Sequence, residues 1–206
     1  MTSKMTKIIR ASTVPGSLDT FCRGLLRELR ELEGYEVVAV SSPGPAMHDI
    51  EEREGVRTAA VPMERRMAPL KDLVSLWRLI RVFRREKPQM VHSITPKAGL
   101  LCMMAACICR VPVRVHTFTG LVFPTASGFT KKILMFTDRL TCACATHVVP
   151  EGKGVKADLE NHHITRRPLR VLGHGNIRGI DLTHYDRTPG VMARAAEIRR
   201  EDVFTF

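Results

Sequence analysis

Aromatic side chains are scarce in this 206-residue chain: phenylalanine, tryptophan and tyrosine together make up 5% of it, and there is one tryptophan. That scarcity argues against a stacking platform for single-stranded nucleic acid, and no helix-turn-helix or zinc-finger spacing appears, so nucleic acid is not an expected partner. Acidic charge is also low. Asp and Glu number 21 against 32 Lys and Arg, a formal net charge of +11, which favours an anionic partner such as a membrane surface or phosphorylated substrates. Long hydrophobic runs are absent. The longest, Ala98 to Cys109, falls short of the about 20 apolar residues a bilayer span requires and suits a buried helix. Met1 to Lys7 is polar and Ile8-Ile9 is too brief for a secretory h-region, so the expected location is cytoplasmic. No G-x-G-x-x-G follows the first apolar run, where Gly16 stands alone; this argues against a standard NAD-binding domain. The pairs Cys107/Cys109 and Cys142/Cys144 lack the C-x₂₋₄-C spacing of zinc sites. The six cysteines are expected to be buried, reduced thiols, with no metal.

What is present is an alternation of strand and helix signals. Strands are expected at Lys7–Ser12, Tyr35–Val40, Arg57–Val61, Gln89–His92, Arg114–Phe118, Ala145–Val149 and Leu169–Leu172. Helices are expected at Ser17–Glu33, Pro45–Glu54, Pro69–Glu86, Lys97–Cys109, Phe129–Cys142, Gly154–Asn161 and Val191–Arg200. This order predicts an α/β fold, a doubly wound parallel Rossmann-like sheet with helices on both faces. Residues 1–182 are expected to form that domain. Residues 183–206 are expected to be an inter-domain linker and the truncated start of a second domain, because Asp202 to Phe206 resembles a strand that breaks off.

In such sheets ligands bind beyond the C-terminal ends of the strands. Two polar loops fall there: His92, Ser93, Thr95 and Lys97 after one strand, and His116, Thr117, Thr119 and Gly120 after the next. Lys97 opens an apolar helix, against the preference of the helix dipole, which points to an anion. The turn Pro15-Gly16-Ser17 leads into a helix whose backbone N–H groups could receive a phosphate or could form a plain turn. His116 could be a general base, a ligand contact or a hydrogen-bonded structural residue. The run GHGNIRG at 173–179 is expected to be a flexible inter-domain turn.

The segment Met63 to Lys87 carries eight Lys/Arg against three acids. At about 100° per residue, Leu73, Leu76, Trp77, Ile80 and Phe83 are expected to face the core. Arg78 and Arg85, with Leu79 and Val82 beside them, are expected on the outer face, either as a membrane contact or as a solvated basic face.

The stretches VHSITPKAGLL, VRVHTFTGLVFPT, LTCACATHVVPEGKGVK and VLGHGNIRGIDL, in that order, resemble the N-terminal half of bacterial family 4 glycosyltransferases of capsule, O-antigen (lipopolysaccharide) and glycan assembly. The resemblance implies a GT-B enzyme whose N-terminal domain binds acceptor and whose C-terminal domain, missing here, binds nucleotide-sugar. It further implies a retaining, metal-independent hexosyl or N-acetylhexosaminyl transfer, with no cofactor beyond a UDP-sugar co-substrate. The acceptor would be a lipid-linked saccharide, and the protein peripheral at the inner face of the plasma membrane. Carried over by position, Gly16 and Ser17 match the donor-phosphate loop and His116 a catalytic histidine facing the reacting sugar. His92, Lys97, Thr117, Thr119 and Gly120 match the acceptor side, and Asn176, Gly179 and Asp181 the entry to the hinge. Ile94 stands where relatives often carry histidine, and Arg178 where they carry asparagine. A UDP-N-acetylglucosamine 2-epimerase-like enzyme and a non-catalytic membrane-surface module are the alternatives. The 206 residues alone are expected to have no transferase activity.

Overall fold

The computed structural model describes residues 5–32, 34–179 and 186–199. Its strands are β1 (Thr6–Ala11), β2 (Tyr35–Ser41), β3 (Arg57–Ala60), β4 (Met90–Ile94), β5 (Val113–Phe118) and β6 (His147–Pro150). All pair in parallel, in the order β3-β2-β1-β4-β5-β6. Its helices are α1 (Pro15–Cys22), α2 (Leu25–Glu31), α3 (Ala46–Glu54), α4 (Pro69–Glu86), α5 (Pro96–Ile108), α6 (Gly128–Cys144), α7 (Lys153–Asn161) and α8 (Pro189–Ile198). The fold class is the one expected. Leu18, Cys22, Leu26 and Ile50 of α1–α3 pack with Val37, Ala39 and Ile94 on one face of the sheet. Leu79 and Phe83 of α4, the apolar residues of α5 and Cys142 of α6 cover the other. The continuous apolar character of Val37 to Val40 follows from burial on both faces.

The single long helix expected at Ser17–Glu33 is two. Gly24, at φ 80°, breaks it in a conformation that glycine adopts without penalty. The Glu54 carboxylate, at the end of α3, accepts from the backbone N–H groups of Gly24 (3.1 Å) and Arg27 (3.2 Å), so the N-terminus of α2 is capped from thirty residues away. Leu169 to Leu172 forms no strand. The run 173–179, expected to be flexible, is held: Asn176 N–H donates to Glu151 O at 2.6 Å, Arg178 Nη1 to Thr20 O at 3.4 Å, and Ile177 packs beside the Leu18 cluster. The expected terminal strand and Asp181 lie outside the described residues. α8 stands with Thr188 Oγ1 capping Val191 N–H at 3.3 Å and no buried residue. Among the cysteines Cys107 is exposed, against expectation; Cys22, Cys102 and Cys142 are buried. No helix among the described residues is long and apolar enough to cross a membrane.

α4 has the expected bounds, but its buried stripe is turned by about one residue, roughly 100° around the axis. Ser75, Leu79, Phe83 and Glu86 face inward, and Leu73 and Trp77 face out. Leu79, expected on the outer face, is fully buried, and Val82 is half-buried against the core; Arg78 and Arg85 are exposed as expected. The reason is polar anchoring at both ends of the helix. Ser75 Oγ donates to Pro62 O at 2.6 Å. The buried Glu86 carboxylate accepts from Arg57 at 2.8 Å and Lys7 at 3.1 Å, and Arg57's hydrogen bond above all holds its pKa down to about 2. With apolar residues on two faces, these contacts decide which one enters the core.

Candidate active site at the sheet switch point

The chain winds outward in both directions from the β1–β4 pair, so the loops after these strands stand at the switch point, the position at which doubly wound sheets bind ligands. Both loops open helices with proline in the first turn, Pro15 and Pro96, and neither helix is capped by its own N-cap side chain. Thr13 and Thr95 join the two loops. Their hydroxyls are 2.8 Å apart, Thr13 N–H donates to Thr95 Oγ1 at 3.0 Å, and Thr13 Oγ1 accepts from Ala98 N–H at 3.1 Å. Thr95 sits at φ 75°, ψ 142°, a costly conformation for a β-branched residue. A Cβ placed on Gly16 would meet nothing within 4 Å, so the turn is open above the first residues of α1.

Below these loops lies a residue that the sequence pattern does not single out. Arg10 of β1 is 5% exposed. It donates to His92 Nδ1 and to Cys22 Sγ (3.3 Å), while its Nε–H has no partner. No carboxylate pairs with it among the described residues. An arginine can only donate, so His92 Nδ1 is the acceptor and the proton resides on Nε2, which donates to Thr117 Oγ1 at 2.8 Å. Burial, then the charge of Arg10, holds the His92 pKa well below its usual range. The result is a buried, uncompensated guanidinium beside a neutral imidazole. Arginines of this kind are recognisable only once the strand register sets Arg10 opposite His92.

The other expected site residues divide. Thr119 and Gly120 lie half-buried beyond the end of β5, with Gly120 at φ 128°. Thr117 is buried, its hydroxyl taken by His92. Lys97 is not a free cation. Its Nζ donates to Asp72 Oδ2 of α4 at 2.5 Å, the two side chains being 11% and 18% exposed. His116, expected to face the reacting sugar, lies under α5 instead. It is 1% exposed, its Nδ1 is 2.9 Å from Ser93 Oγ, and its ring meets Phe118 edge-on at 4.5 Å. Burial lowers its pKa to about 4. Alternation along β5 explains this: the strand sends His116 to the α5 face and Thr117 to the opposite one, and Thr119 is the side chain that reaches the rim. Asn176 and Gly179, at φ 83° and 84°, belong to the held 173–179 segment.

The glycosyl transferase 4-like domain model matches residues 16–175. The chain belongs to that family. It is 32% identical over 183 residues to the capsular polysaccharide biosynthesis glycosyltransferase CapM of Staphylococcus aureus, covering 88% of this chain and 47% of that protein. Over 98 residues it is 31% identical to the UDP-Gal:alpha-D-GlcNAc-diphosphoundecaprenol alpha-1,3-galactosyltransferase of Escherichia coli, covering 47% of this chain and 25% of that protein. Among solved structures, HepE of Anabaena in complex with UDP superimposes with a TM-score of 0.68 at 13% identity, over 93% of this chain and 49% of that one. A UDP-N-acetylglucosamine 2-epimerase gives 0.62 at 17% identity, over 83% and 49%; at such identities the likeness is of fold. This glycosyl transferase 4-like chain thus spans about half the length of CapM and of the two solved structures.

Proposed function

We propose that this chain is the acceptor-side half of a retaining glycosyltransferase that moves a sugar from a UDP-sugar to a lipid-linked saccharide during surface-polysaccharide assembly at the inner membrane face. The observation that carries this reading is the buried Arg10 charge, without a carboxylate partner among the described residues, set below the switch-point loops that lead into two helix N-termini. That combination suits a substrate bearing a diphosphate. Family membership and the 32% identity to a capsule glycosyltransferase favour transfer over epimerisation, for which there is similarity of fold alone. No metal or cofactor is assigned a step. Donor-sugar groups are assigned to a second domain.

The test is a transfer assay on the natural gene product with UDP-sugars and polyprenyl-diphosphate-linked acceptors. Product that depends on acceptor supports the reading; conversion of UDP-N-acetylglucosamine to its 2-epimer without acceptor replaces it with the epimerase. Vesicle retention with no response to any sugar nucleotide would leave the non-catalytic module.

Within this reading His116 is assigned a positioning role, holding the end of β5 so that Thr119 and Gly120 meet substrate. His116→Ala is expected to lower kcat by roughly one to two orders of magnitude with little change in the acceptor KM, since small misplacements act on the transition state. His116→Asn, which keeps a hydrogen-bonding group toward Ser93, should recover most of the loss. A rise in acceptor KM with kcat intact would instead mean that the ring positions groups that bind acceptor and not groups that act in the transition state.

A further inference from the structure

Cys107 is exposed and Cys144 half-buried, whereas Cys22, Cys102 and Cys142 are buried. The first two reach the surface at the same place. Helices α5 and α6 each connect successive parallel strands on one face of the sheet, so both run antiparallel to the strands and parallel to each other, packed side by side. Cys107 lies in the last turn of α5, and Cys144 is the last residue of α6. One guanidinium ties these helix ends together. Arg114 donates to Cys144 O at 2.6 Å and to Val111 O, in the turn after α5, at 2.7 Å. That turn folds back on the cysteine itself, where Arg110 N–H donates to Cys107 O at 3.0 Å. The two thiols act on each other: burial, and then the charge and hydrogen bond of Cys107, raise the Cys144 pKa.

The other cysteines are set apart from this pair. Cys109 stands two residues on, a spacing that does not share a helix face, and turns its Sγ to Ile80 O of α4 at 3.7 Å. Cys102 and Cys142 are closed to solvent, and burial pushes both thiols up to about 12, which keeps them inert. Cys107 and Cys144 have each other, access to solvent and the Arg114 charge, which works against burial at Cys144. A cation beside an accessible thiol favours the thiolate, the form that reacts. A second thiol beside the first turns its sulfenic acid into a disulfide before further oxidation. Bridging asks the two Cα atoms to stand within about 7 Å, and the fraying last turns of two packed helices can adjust to it. Exposure assigns the roles: Cys107 meets the oxidant, and Cys144, half-buried behind it, resolves.

We propose that Cys107 and Cys144 form a peroxide-oxidisable pair that closes reversibly to a disulfide between the ends of α5 and α6. The Cys107 thiolate attacks one oxygen of hydrogen peroxide. The S–O bond forms as the O–O bond breaks, and the departing hydroxide takes up the proton that Cys107 released and leaves as water. The Cys144 sulfur then attacks the sulfenic sulfur. The S–S bond forms as the S–O bond breaks, and the second hydroxide leaves as water with the Cys144 proton. Two electrons have passed from the thiols to the peroxide, and a dithiol reductant returns them. The pair is independent of sugar transfer, and so is its measurement. With the reduced 206-residue chain, hydrogen peroxide should remove two of the six thiols, the monomer mass should fall by two hydrogens, and dithiothreitol should reverse both changes. Proteolysis without reduction should release one peptide pair joined through Cys107 and Cys144. In Cys144→Ser the reaction should stop at a Cys107 sulfenic acid that dimedone traps, and in Cys107→Ser no pair of thiols should be lost. Circular dichroism checks the fold of both variants, and the peptide map of the native chain tests the pairing without them. Survival of all six thiols would overturn the proposal. So would a bridge mapped to Cys109 or another cysteine, disulfide-linked dimers in place of the monomer, loss of two thiols in Cys107→Ser, or oxidation of Cys107 in the native chain to its sulfinic acid with Cys144 still free.

Discussion

Replacing Gly99 with alanine is expected to destabilise this domain by about 1–3 kcal/mol, the usual cost of overpacking a tight core. A Cβ at Gly99 would lie 2.3 Å from His116 Cε1 and 2.8 Å from both ring nitrogens. Neither side has room to move. The ring is held by Ser93 and Phe118, and α5 is pinned by Leu101, Cys102, Met103, Ala105 and Ala106, all buried. Alanine's better helix propensity offsets about 1 kcal/mol of the cost, so the observed loss falls toward the lower end of that range. Coupling is the sharper measurement. His116→Ala alone opens a cavity and loses stability; adding Gly99→Ala to it should cost nothing further or should stabilise. Urea midpoints for the two single variants and the double variant give the interaction energy directly. Additive losses would show that the ring does not occupy the space Gly99 leaves.

That contact also shows where the sequence stops being legible. The strands, the bounds of α4 and the switch-point loops follow from local pattern: apolar runs, Pro69, Pro88 and the alternation of periods. Helix α5 was recognisable as buried because it is apolar on all sides, but for the same reason no pattern says which side carries His116. α4 failed differently. It is apolar on two faces, and the choice between them depends on Ser75 reaching Pro62 and on Glu86 reaching Arg57 and Lys7, none of which is local. The break at Gly24 is likewise fixed by Glu54. Of the site, the threonine and glycine positions at the rim were visible as loop composition. The partnership of Arg10 with His92, and the burial of His116 and Thr117, depend on strand register and on the two-residue alternation across the sheet. A resemblance carried over by position names residues of the switch-point loops but could not tell which of their side chains the sheet buries.

Asp138→Asn is expected to raise stability strongly at pH 8 and hardly at all at pH 4. Asp138 lies within α6, and burial pushes its carboxyl from the ordinary 3.8 up to about 7. Its folded-state pKa is thus raised, so between those values the folded chain holds a proton the unfolded chain has lost, and stability falls as pH rises. At 1.36 kcal/mol for each unit, the full penalty above pH 7 is about 4 kcal/mol, and asparagine removes it. His116 acts with the opposite sign. Its folded pKa is lowered to about 4 from 6.5, so its contribution is complete above pH 6.5 and is lost as pH falls toward 4, by about 3 kcal/mol. His92, lowered for the same reason of burial, adds to that side. Carboxylates held down by partners, such as Glu86 at about 2, enter only below their ordinary 4.5. Across pH 4–6.5 Asp138 opposes the two histidines and cancels one of them, so the native chain should lose stability with falling pH about half as steeply as it would without Asp138. In Asp138→Asn the opposition is gone, and thermal midpoints should drop steeply as pH is lowered from 6.5 to 4. Adding His116→Asn should return that limb to about the native slope, with His92 left to titrate. A parallel upward shift of the Asp138→Asn curve at every pH would mean that the carboxyl is not protonated in the folded state.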